Sequence, residues 1–429
     1  MQDQVTQLDA DDPHAPLGPS QRRATMPLLL MAFGWGFLIT GLMVGGALGS
    51  GISFDGLIQA TAIGNGVNFV LGALTGYIGY KTGCNSGLLY KIVFGGTGAR
   101  VPALFVSLLT ICWQGIIVGA FGFAWTQSFE SNAFYAVAVF GGLLFTFTTY
   151  FGVRGLELVS IPATLILVFV GLFAGQINID AAGGWQGFLA LSDAAAAKSP
   201  LTMVQAVNIV IGSWIVGAIV MPEYTRFAKH AWVAIAIPFI VMVVSQWFLQ
   251  IVGAMGGIVS GSADFTTYML AQGPLIGAIG VIAMTFALWT TGDANLYLPA
   301  VQTASVLNQS QKRMTVVCGL IGTVLGLGIY SHFLYWIDLI ASLAPPVIGP
   351  LIVEFYVLGR DRFSQAGLDR VAPWRPLAFV SYAIGAGSTF LAPDWLAKSL
   401  VGLGVAMLLH LILGLAMRPR GAAVQSPVP

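Results

Sequence analysis

The chain is expected to fold as an all-α, polytopic membrane protein of twelve transmembrane helices, and three observations lead there. Of its 429 residues 57% are hydrophobic and 8% charged, with a mean hydropathy of +0.84, which excludes a soluble globular domain. Its apolar runs are continuous and about 20 residues long, the length that crosses a bilayer as a helix and not the short alternating segments of a membrane barrel. Sixteen of its eighteen Lys and Arg residues fall in alternate inter-run segments, as expected when short cytoplasmic loops retain positive charge.

In order, the runs lie near 27–50, 56–79, 101–125, 133–152, 157–176, 203–222, 231–258, 274–300, 314–331, 334–358, 375–392 and 396–417. With the N-terminus inside, the segments holding Arg22 and Arg23, Lys81, Lys91 and Arg100, Arg154, Arg226 and Lys229, Lys312 and Arg313, Arg360 to Arg375, and Arg418 and Arg420 are cytoplasmic. Only Lys198 and Lys398 fall outside, so both termini are placed in the cytoplasm. Residues 1–25 form a polar tail with no apolar core, so no cleavable signal peptide is expected. Residues 26–417 form one membrane domain, and 418–429 a second cytoplasmic tail.

The first run carries the strongest local signal. Phe33 to Gly51 contains seven glycines, with Gly45, Gly46, Gly49 and Gly51 closely spaced. Each glycine costs a helix about 1 kcal/mol relative to alanine, so this helix is expected to be interrupted. Irregular backbone at membrane depth survives only when buried in protein or lining a cavity, so a break there marks a binding site near the midplane. Close helix packing through small residues is the alternative reading of the same glycines. The sixth run has similar features in Gly212, Gly217 and Pro222, which are expected to loosen it. Breakable helices one and six, five apart, predict two five-helix repeats of inverted orientation, with helices eleven and twelve added at the periphery.

Polar groups at depth are few. In the eighth run Thr290 and Thr291 precede Asp293 and Asn295. Two adjacent hydroxyls, joined by carbonyls freed at a broken first helix, would make an oxygen-only site for a hard monovalent cation; alternatively, the hydroxyls bond back to their own helix. Asp293 could carry a proton, join the cation site or act structurally, and the structural role is the preferred one. Glu223 and Arg226 read as an ion pair or gate contact, and Glu157 with Arg154 likewise. In the third run Thr110, Cys112, Trp113 and Gln114 stand amid apolar residues, as do Ser213 and Trp214 in the sixth. Two facing indoles could hold a planar heteroaromatic ring, with neighbouring hydroxyl and amide groups reading its edge. The three cysteines follow no metal-ligand spacing, and the basic residues form no patch for nucleic acid.

Five stretches together resemble the nucleobase:cation symporter-1 family: Val44 to Ser53, Thr75 to Gly98, Gly212 to Ala231, Leu288 to Tyr297 and Ile340 to Tyr356. The most specific are the loop Gly79-Tyr80-Lys81-Thr82-Gly83 and the Tyr224-Thr225-Arg226-Phe227 end of helix six. The resemblance implies a LeuT-like five-plus-five inverted repeat with broken helices 1 and 6 and two extra C-terminal helices. It implies that Trp113 and Trp214 sandwich the base beside Ser213. It also implies that sodium is held by carbonyls of Gly34, Phe37 and Ala287 and hydroxyls of Thr290 and Thr291. Two positions depart from the family's pattern: Thr110 stands where a glutamine is implied, and Gly292 where an asparagine is. Gln114 and Asn295 are nearby substitutes at other helical angles.

The function implied is secondary active import of a nucleobase, a cytosine-like pyrimidine or purine, or a related heteroaromatic, by sodium symport with alternating access in the inner membrane. A proton-coupled transporter of the same fold, using Asp293 and carrying a thiamine-precursor pyrimidine, hydantoin or purine, is the rival. A membrane-embedded enzyme would need clustered acid, base and nucleophile groups that the runs lack. Sodium is the one ion implied and no organic cofactor is expected; the partners are the small-molecule substrate and the lipid bilayer, with a monomer sufficient for function.

Overall fold

In a computed structural model the chain is described over residues 15–151, 168–169, 171–198, 200–262, 264–307 and 309–417. Over those residues it is helical, with no strand. The first span is α1 (Thr25–Gly36) and α2 (Thr40–Gly49), bent by 42° across Phe37, Leu38 and Ile39. Then come α3 (Phe54–Thr82), the short α4 (Ser86–Phe94), α5 (Arg100–Thr126), α6 (Asn132–Tyr150) and helical backbone at 171–181 (α7). The expected fifth span, with Arg154 and Glu157, lies mostly outside the described residues.

The second half begins with α8 (Trp185–Lys198), outside the spans. The sixth span is α9 (Met203–Ile219) and α10 (Pro222–Thr225), interrupted at Val220 and Met221. The seventh is α11 (Ala231–Pro238), a π-helical stretch (Phe239–Gln246) and α12 (Trp247–Ser260). After α13 (Phe265–Ala271) follow α14 (Pro274–Leu307), α15 (Gln311–Gly326), and a tenth span made of α16 (Phe333–Leu343), α17 (Pro345–Val353) and a π turn (Glu354–Leu358). A short α18 (Gln365–Asp369) leads to α19 (Pro376–Thr389) and α20 (Lys398–Ala416). Among the described residues eight helices are long and apolar enough to span, nine with the bent pair as one. At 16 and 14 residues, α15 and α19 are shorter than the usual span.

The packing carries the repeat. The second half of the first span, α2, lies on the seventh, and the sixth lies on the second; the third packs on the eighth and the fourth on the ninth. Exchanging each of the first ten spans with its counterpart five places away turns every one of these pairs into itself or into another of them, as two superposable five-helix units require. Helices α19 and α20 lie against each other and touch the bundle through α17.

The glycines divide differently from expectation. The break falls at Phe37–Ile39, ahead of the Gly45, Gly46 and Gly49 cluster, which is regular helix in α2. A Cβ on Gly45 would stand 2.0 Å from the carbonyl oxygen of Gln250, and one on Gly49 2.6 Å from that of Ala254. From the other side, Gly253 and Gly257 press equally close to the carbonyls of Leu42 and Gly46. These glycines form a backbone-to-backbone seam between α2 and α12, so close approach and not flexibility is their use. Gly212 and Gly217 likewise sit in unbroken α9: the first admits the Ile337 carbonyl, and the second makes room for the indole of Trp214 lying back on its own helix. Pro222 alone stands at the interruption, as the first residue of α10, where its missing N–H costs nothing.

At the N-terminal end of α1 the segment before the helix is strapped to the two most specific loops of the sequence. Leu17 N–H donates to the Gly83 carbonyl (2.9 Å), Arg22 donates to the carbonyls of Tyr80 (2.8 Å) and Ala228 (2.9 Å), and Arg23 N–H donates to that of Phe227 (2.9 Å). Gly83 caps α3 at φ +70°, a conformation suited to glycine. At the expected ion pair or gate contact of Glu223 and Arg226, Glu223 also accepts from Ser86 N–H at the start of α4 (3.1 Å), and Arg226 lies over the Phe227 ring.

Candidate functional site at the break of the first span

Each of the three residues of the break keeps one bond to a neighbouring helix and loses the other, and the backbone groups so freed decide what surrounds them. The ladder ends with Phe37 N–H to Phe33 carbonyl and resumes with Gly41 N–H to Leu38 carbonyl. Two side chains from other helices fill part of the gap. Thr291, on α14, accepts a hydrogen bond from Ile39 N–H through its hydroxyl (3.3 Å). Gln246, at the end of the π stretch, donates its amide to the carbonyls of Gly36 (2.6 Å) and Leu38 (3.3 Å). Among the described residues no donor reaches the carbonyl of Gly34, in the last turn of α1, or that of Phe37, at the break, so two oxygens are left bare there. A buried carbonyl left so, as at Phe37, is costly, and bare oxygens of this kind suit a cation or a ligand N–H.

The proposed sodium residues therefore divide. Gly34 and Phe37 are at the break with free carbonyls, and Thr291 touches it. Thr290 instead donates to the Ala287 carbonyl (3.0 Å), the back-bonding that membrane threonines favour. All five positions offer oxygen alone, the donor chemistry of a hard cation.

Around the break stand aromatic rings. Trp113 on α5 and Trp214 on α9 are 4% and 5% exposed and make no ring contact with each other. Phe333 meets Trp113 edge-on at 6.1 Å, and Trp35 meets Trp214 edge-on at 5.3 Å. The Trp214 indole N–H is buried without a partner. Trp35, which also packs on Tyr224 at 4.2 Å, was missed in the sequence although it stands between Gly34 and Gly36, two residues before the break. Gln246 was missed too; a neutral amide in the middle of an apolar run was its signal.

The remaining candidates point elsewhere. Ser213 donates to the Val210 carbonyl (2.7 Å), Thr110 to that of Ser107 (2.8 Å), and Asn295 to that of Thr291 (3.0 Å), each within its own helix. Gln114 lies against Gly322 of α15, with both amide atoms unpartnered. Gly292 faces α6: a Cβ there would stand 2.5 Å from the Phe145 ring. Asp293 faces α6 as well, accepting from the hydroxyls of Thr148 (2.6 Å) and Thr149 (3.3 Å). Its second oxygen has no partner.

Glu354 is a buried acid that the run pattern hid at the end of the tenth span. It accepts from Arg375 (2.7 Å) and Arg362 (3.1 Å), with His410 at 3.2 Å, tying α17, α19 and α20 together.

The comparisons with known proteins agree with this architecture. A family model described as "Permease for cytosine/purines, uracil, thiamine, allantoin" matches residues 16–370. The chain is 29% identical over 373 residues to the cytosine permease of Escherichia coli (strain K12), covering 86% of each. It is 22% identical over 376 residues to the hydantoin permease of Microbacterium maritypicum, covering 77% of this chain and 73% of that one. Among solved structures, a nucleobase-cation-symport-1 family transporter in a closed conformation with bromovinylhydantoin bound superposes with a TM-score of 0.79 at 20% identity, over 94% of this chain and 95% of the other. A Na+-coupled sialic acid symporter in a substrate-bound outward-open state gives 0.62 at 11%, over 92% and 97%. The chain belongs to the cytosine and purine permease family, the nucleobase:cation symporter-1 transporters.

Proposed function

We propose that the protein imports a nucleobase or related heteroaromatic across the inner membrane by sodium symport, with both termini cytoplasmic and one chain sufficient. The observation that carries this is the pair of bare carbonyls at Gly34 and Phe37, at a break whose Ile39 N–H is held by the Thr291 hydroxyl. Sodium there would bind oxygens contributed by α1 and α14, and so would favour the arrangement that holds those two helices in register. A ligand shifts an equilibrium only by its differential affinity for the two states, and this site has such a difference because its oxygens come from separate helices. The base would lie between Trp113 and Trp214, displacing Phe333 or Trp35 from their faces. Base and sodium would then tighten each other's binding by the same factor. Proton coupling through Asp293 is less well supported: two residues on from Thr291, it points about 200° away around the helix, toward α6.

The test is binding of radiolabelled cytosine, uracil, hypoxanthine and hydantoin to purified protein across a sodium titration. Thr291→Ala removes a ligand and leaves Ile39 N–H unpaired, so it should raise the sodium requirement by roughly 1–3 kcal/mol; Thr290→Ala should do less. Base binding that is indifferent to sodium, yet linked to pH, would replace this reading with the proton-coupled one.

A further inference from the structure

Below the candidate site the structure holds a cavity of about 230 Å³. The three spans that carry Trp113, Trp214 and Thr291 also line it, through Ala103 and Arg100 on α5, Glu223 on α10 and Gln302 on α14, each about 15 Å along its span toward the cytoplasmic side. Its fourth wall is α4, the short helix outside the spans, which contributes Asn85, Tyr90 and Lys91. The cavity thus sits in line between the break and the cytoplasm.

Its polar groups form a built surface. Ser86 N–H and the Gln302 amide hold the Glu223 carboxylate, and Gln302 in turn accepts from the Ser107 hydroxyl (3.1 Å). A carboxylate accepts about four hydrogen bonds, so Glu223 keeps capacity for a further N–H. Tyr90 is 1% exposed and its hydroxyl has no partner. Burial and the nearby negative charge of Glu223 push that hydroxyl's pKa above its ordinary value, so it remains a donor. An unpartnered buried donor beside an acceptor with spare capacity is costly unless a ligand answers both. A lactam edge, with a ring N–H next to a C=O, does so: the N–H donates to Glu223 and the carbonyl accepts from Tyr90.

We propose that this cavity is a second binding station for the transported heteroaromatic, on the cytoplasmic side of the central site, reading the ring's N–H/C=O edge with Glu223 and Tyr90. The station rests on the proposed function and adds to it. A base that has left the indoles would pause there, and a base accumulating in the cytoplasm would occupy it and slow further release.

Equilibrium dialysis of the full chain in nanodiscs against labelled cytosine, uracil, hypoxanthine and hydantoin tests this. At base concentrations that just fill both sites the parent should bind about two molecules of its base per chain, Trp214→Ala and Tyr90→Phe each closer to one, and the double variant well under one. Tyr90→Phe should weaken the second class roughly 3- to 12-fold, the worth of one hydrogen bond. An independent readout needs no change at the central site. With the three native cysteines buried, Val301→Cys should react with a maleimide, and saturating base should slow that reaction less in Tyr90→Phe than in the Tyr90 background. One site per chain in the parent, abolished by Trp214→Ala, together with unprotected Val301→Cys, would overturn the second station and leave the transporter reading intact. A parent that binds none of the four bases would overturn both.

Discussion

Replacing Gln246 by leucine asks whether the pinned break controls cation affinity. The amide of Gln246 donates to the Gly36 carbonyl at 2.6 Å and to that of Leu38 at 3.3 Å. The first is a full hydrogen bond and the second a weak one, so the substitution strands about one buried acceptor. Stranding one costs roughly 1–3 kcal/mol, and the break would relieve it by rearranging. If the carbonyls of Gly34 and Phe37 then lose their placement, sodium affinity falls by up to that amount, about 5- to 150-fold. Gln250→Leu is the matched control. It lies one turn further along the same face and accepts from Asn65 (2.6 Å), so it removes a buried amide without touching the break. Sodium titrations of base binding on both purified variants, each with a thermal unfolding midpoint, separate the effects. Equal sodium shifts in the two, or a Gln246→Leu protein that loses stability alone, would refute the link between the pinned carbonyls and the cation.

Four further outcomes are expected. Gly45→Ala should destabilise by about 1–3 kcal/mol because its Cβ would need roughly another 1.4 Å to reach ordinary contact with the Gln250 carbonyl, whereas Gly66→Ala, with nothing within 4 Å, should stabilise α3 by up to about 1 kcal/mol; thermal midpoints in detergent report both. Trp113→Ala and Trp214→Ala should each weaken base binding by roughly 1–3 kcal/mol, the worth of a base stacked on an aromatic ring, with phenylalanine partly tolerated; unchanged binding would move the site elsewhere. Gly292→Asn should unfold or misassemble the α6–α14 contact before it reads any ring, seen as loss of monodisperse protein on gel filtration. Single-cysteine labelling should find the Lys312 loop accessible from the cytoplasm and the Asp193 segment from outside.

The spans and their order were legible because apolar length and the side on which Lys and Arg fall are properties of contiguous residues. The cause of each break was not. A glycine that frees the backbone and a glycine that lets a neighbour approach look identical in sequence; Gly45 is distinguished only by Gln250, two hundred residues later. The hydroxyls divided for the same reason. Thr290 and Thr291 are adjacent and chemically alike, yet 100° around the helix sends one to its own backbone and the other to Ile39. The short helices α4 and α8 escaped notice because each lies in a segment read as a loop between spans. The strap from Leu17 to Arg23 supplies a physical reason for the Gly79–Gly83 and Tyr224–Phe227 stretches that their spacing alone did not.

The seam between α2 and α12 also sets a timetable for making the protein. Every close contact that the second half of the first span makes through Gly45 and Gly49 is with a segment synthesised about two hundred residues later. At ordinary elongation speed that is a wait of roughly 10–40 s. Throughout it, a glycine-rich half-helix with weak propensity sits in or beside the translocon with its carbonyls imperfectly covered. The first span can target the chain early, but its final shape is a late event, settled only when the seventh span arrives.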